Sequence, residues 1–208
     1  MERPVSAELG PGLTARLPPA TRTGASSIQV VPLRGLPVVA VVLVLLVVTL
    51  VGNWLWALDF FHVVGGGLWT GVDLFVGFVI GPILGRLPTA ARAEFSARFM
   101  PKMVLLMPTL VIMTLASGWQ LARHVGTLAA ASPAHPWVVA SLIVVGVLAV
   151  VAIGILEPAN LAVLFEMRKP RPDGELIARL MHRFVYTAGI TGAMQLATLV
   201  IMTRIAVL

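Results

Sequence analysis

Long runs of apolar residues, separated by short polar segments, dominate the sequence after position 36. Several runs reach about twenty residues, the length that an α-helix needs to cross roughly 30 Å of hydrocarbon. The pattern predicts an all-α integral membrane bundle of about five transmembrane helices. The predicted spans are 37–58, 59–84, 103–122, 137–164 and 184–207. Three consecutive glycines at 65–67 leave one boundary open, because they fit either inside the second helix or in the turn before it.

The composition supports this class of protein. Of the 208 residues, 58% are hydrophobic and only 12% are charged, whereas about a quarter of the residues in a soluble domain are charged. The chain has no cysteine, which excludes disulfides, thiolate metal sites and thiol catalysis. Residues 1–36, rich in Pro, Ser, Thr, Gly and Arg, predict a flexible cytoplasmic tail. The transmembrane bundle then comprises residues 37–208, and its first span serves as an uncleaved signal anchor.

The distribution of basic residues predicts the orientation. All but two of the 15 Lys and Arg residues fall in the tail or in the two loops on the same side, the exceptions being Arg123 and Arg204. The positive-inside rule then places the N-terminus in the cytoplasm and the C-terminus outside, in a multi-pass protein of the cell (inner, or cytoplasmic) membrane. The net charge of +6 thus reflects membrane orientation, and nucleic acid is not an expected partner. Tryptophan gives the same orientation, because four residues fall at the predicted outer interface. These are Trp54, Trp56, Trp119 and Trp137.

The segment 58–73, LDFFHVVGGGLWTGVD, concentrates the polar and glycine positions of the second span. His62, Gly66, Trp69 and Asp73 fall at i, i+4, i+7 and i+11, so a helix places them on one face. Lipid offers such side chains no partner, and the face should therefore contact protein or a bound group.

A second histidine, His124, is predicted at nearly the same depth as His62 on the neighbouring, antiparallel helix. Two such histidines could ligate one haem iron from both sides or hold a copper ion. Glycines beside His62 would let a flat macrocycle approach the backbone, an indole would pack below it, and guanidinium groups would meet its propionates. The residues in these roles are Gly65, Gly66, Trp69, Arg123 and Arg204. The alternative is that both histidines are interfacial residues with amphipathic rings.

Two carboxylates, Asp73 and Glu157, lie within predicted spans. Intramembrane acids cost a few kcal/mol or more, and they are therefore functional candidates. They could belong to a proton path or a quinone site. They could also form structural hydrogen bonds with a neighbour such as Thr191 or Gln195.

The motif FHVVGGGLWTG resembles the signature helix of the CopD-like superfamily of small bacterial membrane proteins. It places a histidine, six residues, a tryptophan, one residue and a glycine before an apolar run that ends at Pro82. The superfamily includes copper-resistance membrane proteins, HemJ-type protoporphyrinogen oxidases and the membrane part of a cytochrome-linked urate oxidase. The next helix, with Pro108 and the pair Ser117 and Gly118, is also similar, and the match spans about residues 55–124. The resemblance implies a helical bundle in which His62 binds haem b or copper.

These observations predict a membrane subunit that binds haem b, or a metal, near the outer surface and takes part in electron transfer. Its expected partners are the lipid bilayer, the other subunits of a larger membrane complex, and a quinone or an external electron carrier. If the chain is an enzyme, it is one as a redox subunit of an oxidoreductase complex. The alternatives are a copper-handling or transport protein and an accessory subunit without a cofactor.

Overall fold

The computed structural model describes residues 32–208, and within them all regular secondary structure is helical. Most of the predicted tail lies outside the described residues. The α-helices are α1 (Leu36–Gly52), α2 (Leu55–Leu74), α3 (Gly81–Arg86), α4 (Thr89–Val125), α5 (His135–Val151), α6 (Glu157–Met167) and α7 (Gly174–Ala206). A 3-10 turn (Leu33–Gly35) precedes α1. The chain also has two π-helical segments in its described part, π1 (Phe75–Ile80) and π2 (Ala152–Leu156).

Two of the helical rods are composite, because π1 joins α2 to α3 and π2 joins α5 to α6 without a break. The described chain therefore has five helices that are long and apolar enough to cross a membrane. This result confirms the predicted all-α class and the number of apolar helices, and it indicates a multi-pass membrane protein. The orientation in the membrane stays a prediction.

The first connection is a two-residue turn at a different place from the predicted boundary between 58 and 59. α1 ends at Gly52 and α2 begins at Leu55. Between them, Asn53 has a φ of 49°, in the left-handed region that asparagine tolerates better than most residues. The three glycines consequently lie inside α2, and His62 is the eighth residue of that helix instead of opening it.

The second connection is also shorter than predicted. α3 ends at Arg86 and α4 begins at Thr89, so only Leu87 and Pro88 separate the second and third spans. α4 has 37 residues, about 55 Å at 1.5 Å per residue, which exceeds the roughly 30 Å of hydrocarbon. The basic segment before position 103 is therefore helical, and α4 would reach beyond the hydrocarbon or tilt within it.

The connections define two ends of the bundle. The tryptophan end holds the turn at 53–54, the connection 126–134 and the C-terminus of α7, and the four predicted interfacial tryptophans lie near it. The arginine end holds the turn at 87–88 and the basic connection 168–173. There the Asp173 side chain accepts hydrogen bonds from the backbone N–H groups of Glu175 and Leu176, and this capping begins α7.

α7 is the central helix, because it contacts α2, π1, α4, α5 and α6. Its approach to π1 requires glycine: a Cβ on Gly77 would lie 2.2 Å from the Gly189 Cα, and one on Gly192 would lie 2.8 Å from the Leu74 nitrogen. Small residues allow helix backbones to approach this closely in membrane proteins. The contact places the polar side chains of α7 beside Asp73. α1 packs mainly on α4 and leaves most of its Val and Leu side chains exposed.

Candidate functional site

His62 is held against α4 by its own hydrogen bond. Its Nδ1 lies 2.9 Å from the backbone oxygen of Thr114. A carbonyl oxygen only accepts, so Nδ1 donates, and a neutral imidazole in this tautomer keeps its lone pair on Nε2. The ring is thus oriented with one nitrogen engaged and the other available as a ligand or acceptor.

Gly118 provides the space for this ring on α4. A Cβ at position 118 would lie 2.5 Å from both Nδ1 and Cε1 of His62, closer than side chains approach one another. The neighbouring Thr114 hydroxyl donates to the Leu110 carbonyl of the same helix, at 2.8 Å. The ring atoms nearest to this position are Nδ1, Cε1 and Cγ, so Nε2 lies farther from Gly118 than the edge that carries Nδ1.

A large groove, about 1260 Å³ in volume, opens beside His62 at the tryptophan end. It lies among α2, α4, α5 and α7, and its lining is mostly apolar. Gly66 and Gly67 line the groove, where the absence of side chains exposes the α2 backbone beside the histidine. Trp69 lines the groove one to two turns deeper, and Met202 of α7 brings a thioether to it. Three of the four residues predicted to share a face, His62, Gly66 and Trp69, therefore do line one groove.

The structure does not bring the second predicted histidine to this groove. His124 is exposed and does not line it. His124 lies six residues, or about 9 Å along the helix, beyond Gly118, the residue against which the His62 ring packs. The two histidines differ in depth because the turn at Asn53 lies earlier than predicted, which moves His62 two turns into its helix. The proposed arrangement of two histidines around one iron finds no support in this geometry.

Three other predicted contacts also lie outside the groove. Gly65 faces α4, where a Cβ would lie 2.8 Å from the Thr114 Oγ1, so this glycine allows helix packing and does not line the groove. Arg123 and Arg204 are exposed and do not line the groove, although each directly follows a lining residue, Ala122 or Thr203. Among the described residues, no group of three or more His, Cys, Asp or Glu side chains is placed to hold a metal ion.

Asp73 lies inside the bundle, with 2% of its surface exposed. The Gln195 Nε2 donates to its Oδ2 at 2.9 Å, and the Thr191 hydroxyl lies 3.3 Å from the same oxygen. This confirms the prediction that Asp73 faces the interior and is bonded to a neighbouring helix. The Trp69 indole Nε1, one turn before Asp73, is buried and has no partner within hydrogen-bond geometry among residues 32–208.

Asp73 and Glu157 line one cavity of about 170 Å³. The other lining side chains come from α4, π2 and α7 and are apolar. Each acid adjoins a π-helical segment: Asp73 lies two residues before π1, and Glu157 directly follows π2. Such segments frequently occur at functional sites, because they change which side chains face a neighbouring helix.

Sequence reasoning missed three groups that the structure places at the site. The Thr114 carbonyl orients His62, Met202 lines the groove, and the joint cavity links two acids from different spans. A backbone carbonyl carries no sequence signal, and one methionine among nine is not distinctive.

Comparison with known protein families, with curated proteins and with solved structures found no match. The CopD-like resemblance therefore stays a prediction based on the motif.

Proposed function

We propose that this protein is a membrane subunit that binds haem b in the groove at the tryptophan end, through His62, and takes part in electron transfer within a larger membrane complex. One observation carries the proposal: the His62 ring is fixed through its Nδ1 on the Thr114 carbonyl, and the residue lines a large, mostly apolar groove. Histidines that ligate a metal typically donate their other ring nitrogen in this way. Quinone or an external electron carrier would be its redox partner.

The residues that line the groove support haem as its ligand. Gly66 and Gly67 expose backbone where a flat ring would lie beside His62, and the apolar lining would exclude water from it. Met202 lines the same groove from α7, and its thioether would be available as a second ligand of the iron. The haem would supply one-electron redox chemistry when bound. The chain's own residues would orient the iron ligand and shield it from solvent.

The two arginines keep a role in this proposal at the mouth of the groove. Arg123 and Arg204 each follow a groove-lining residue and are exposed at the tryptophan end. Their guanidinium groups would be the cations available to bind the haem propionates, since guanidinium binds carboxylates well. Copper is the weaker alternative, because His62 is the one histidine among the groove-lining residues of the described chain.

The test is a visible spectrum of the protein purified with its partners in mild detergent. The reduced sample should show the absorption bands of a b-type haem, and His62→Ala should abolish or shift them. His124→Ala is the matched control, since this histidine is exposed and outside the groove, and it should leave the spectrum unchanged. Loss of the bands in His124→Ala with retention in His62→Ala would contradict the assignment. An intact, colourless wild-type complex would reject haem, and metal analysis would then separate a copper protein from an accessory subunit.

A further inference from the structure

Three polar side chains that line the groove have a buried atom without a hydrogen-bond partner within residues 32–208. These atoms are the indole Nε1 of Trp69, the Oε1 of Gln195 and the Oγ1 of Thr198. Gln195 is only 3% exposed. A buried polar atom without a partner is costly to the fold, so native structures almost always supply one, from the protein, from water or from a ligand. The three atoms therefore point to a polar group in the groove.

The connectivity of the helices places these residues at one level. The Gln195 Nε2 donates to the Asp73 Oδ2 at 2.9 Å, which joins α7 to α2 at this depth. Trp69 precedes Asp73 by four residues on α2. Thr198 follows Gln195 by three residues on α7. Because α2 begins at the tryptophan end and α7 ends there, Trp69 and Thr198 both lie about one turn from that hydrogen bond, on the side of the groove mouth. We call Trp69, Gln195 and Thr198 the polar floor of the groove.

The polar floor selects for a ligand group that can donate a hydrogen bond. Gln195 has its amide nitrogen engaged with Asp73, and its remaining polar atom, Oε1, can only accept. The Trp69 indole can only donate, and the Thr198 hydroxyl can do either. A carbonyl of a ligand could pair with the indole but not with Oε1, whereas a hydroxyl group can pair with both kinds of atom.

The rest of the groove defines the other part of the ligand. Its lining is mostly apolar, and a site of this kind binds an apolar molecule that a few polar contacts orient. The ligand is therefore a lipid-soluble molecule with a hydroxyl-bearing head. An isoprenoid quinol has this chemistry, with two ring hydroxyls and a hydrocarbon tail. The oxidised quinone carries carbonyl groups in place of the hydroxyls.

We propose that the polar floor binds the head of a membrane quinol, and that it binds the quinol more tightly than the corresponding quinone. The choice of a quinol among hydroxylated lipids rests on the proposed electron-transfer function, whereas the requirement for a hydroxyl group rests on Gln195. His62 and Trp69 are seven residues, or about 10 Å, apart along α2. The polar floor thus lies deeper in the groove than the proposed haem ligand.

The test measures equilibrium binding of decylubiquinol and decylubiquinone to the full chain, purified with its partners in mild detergent and kept free of oxygen. The wild type should bind the quinol about tenfold more tightly or more, because the quinone leaves the Gln195 Oε1 without a donor. Equal affinities, tighter binding of the quinone or no binding at all would overturn the proposal. Farnesol, an isoprenoid alcohol without a ring, should bind more weakly than the quinol, and equal affinity for it would reject a quinol as the ligand.

Thr198→Val tests the polar floor with little change in side-chain shape. The variant should bind decylubiquinol about threefold to tenfold more weakly. It should be at least as stable as the wild type, because the hydroxyl that it loses has no partner in the described chain. Thr203→Val is the matched control on the same helix, since Thr203 lines the groove but its hydroxyl donates to the Val200 carbonyl at 2.8 Å. Unchanged affinity in Thr198→Val, or an equal loss in the control, would contradict the polar floor.

Gln195→Leu tests the origin of the preference. Without Oε1, the variant should bind the quinol and the quinone with similar affinity, and a folded variant that keeps the full preference would contradict the role of Gln195. The change also removes the hydrogen bond to Asp73, so circular dichroism must show that the variant is folded. If it does not fold, the preference of the wild type and the Thr198→Val variant still decide.

The haem and quinol proposals fail separately in these experiments. Thr198→Val leaves His62 in place and should keep the visible spectrum of the wild type. A colourless protein that prefers the quinol would reject haem and retain the polar floor. A haem protein that binds the quinol and the quinone equally would retain haem and reject the polar floor.

Discussion

Substitution of Gly118 by alanine tests directly whether the His62 ring packs against α4 at this glycine. The new methyl group would lie 2.5 Å from the ring atoms Nδ1 and Cε1, whereas ordinary carbon contacts are about 3.5–4.0 Å. The ring must therefore move by about 1 Å or more, which is enough to break a 2.9 Å hydrogen bond to Thr114. Loss of that bond costs about 0.5–1.5 kcal/mol, and overpacking adds about 1–3 kcal/mol.

The assay is thermal or denaturant unfolding of the purified protein, together with the visible spectrum if haem is present. Gly118→Ala should be destabilised by about 2–4 kcal/mol on these terms. Gly71→Ala is the matched control: its methyl group meets nothing within 4 Å, and alanine in place of a helical glycine stabilises by up to about 1 kcal/mol.

A double variant separates the clash with His62 from other effects of the methyl group. In a protein that already carries His62→Ala, the ring is gone, so Gly118→Ala should cost little. The two changes should therefore be non-additive by about 1–3 kcal/mol. Additive effects of the two changes would refute the proposed packing of the His62 ring against Gly118. A Gly118→Ala variant as stable as the wild type, with an unchanged spectrum, would refute it too.

Two further predictions concern packing and orientation. Gly77→Ala should strongly destabilise the bundle in the same unfolding assay, because its Cβ would overlap the α7 backbone at 2.2 Å. In the control Gly85→Ala, the new methyl group meets nothing within 4 Å, so this variant should not be destabilised. Equal stability of the two variants would contradict the close helix contact. Alkaline phosphatase, which is active only outside the cytoplasm, should be silent when fused after Arg92 and active when fused after Leu208. The opposite pattern would reverse the predicted topology.

The sequence was informative where the membrane itself imposes the pattern. The length of the apolar runs predicted five membrane-spanning helices, and the described residues contain five helices long and apolar enough for this. The cost of an intramembrane acid predicted that Asp73 would find a polar neighbour, and Gln195 is that neighbour. Both inferences depend on lipid as the solvent and need no knowledge of how the helices rotate against one another.

Depth and rotation were not predictable in the same way. The turn at Asn53 interrupts a continuous apolar sequence, and only the adjacent Gly52 and Trp54 hinted at it. Because the turn lies earlier in the chain than predicted, His62 is farther along its helix and is not at the depth of His124. The shared cavity of Asp73 and Glu157 lies next to π2 and to the helix that the glycine contact between π1 and α7 positions. These are tertiary features, which hydrophobic periodicity does not specify.

Met202 allows the ligand set of the groove to be tested beyond His62. Its thioether and the imidazole line the same groove from α7 and α2, and a haem iron bound by His and Met differs in spectrum and potential from one bound by histidine alone. Met202→Leu keeps a similar volume, so the fold should tolerate it at a cost under about 1.5 kcal/mol. If the sulfur binds the iron, the variant should retain haem through His62 but change its reduced spectrum and raise its affinity for external ligands such as carbon monoxide. Met194→Leu, on the same helix but packed against the core outside the groove, should preserve both properties. A haem-containing protein whose spectrum and ligand affinity are the same in Met202→Leu would exclude the thioether and leave His62 as the protein ligand that the groove supplies.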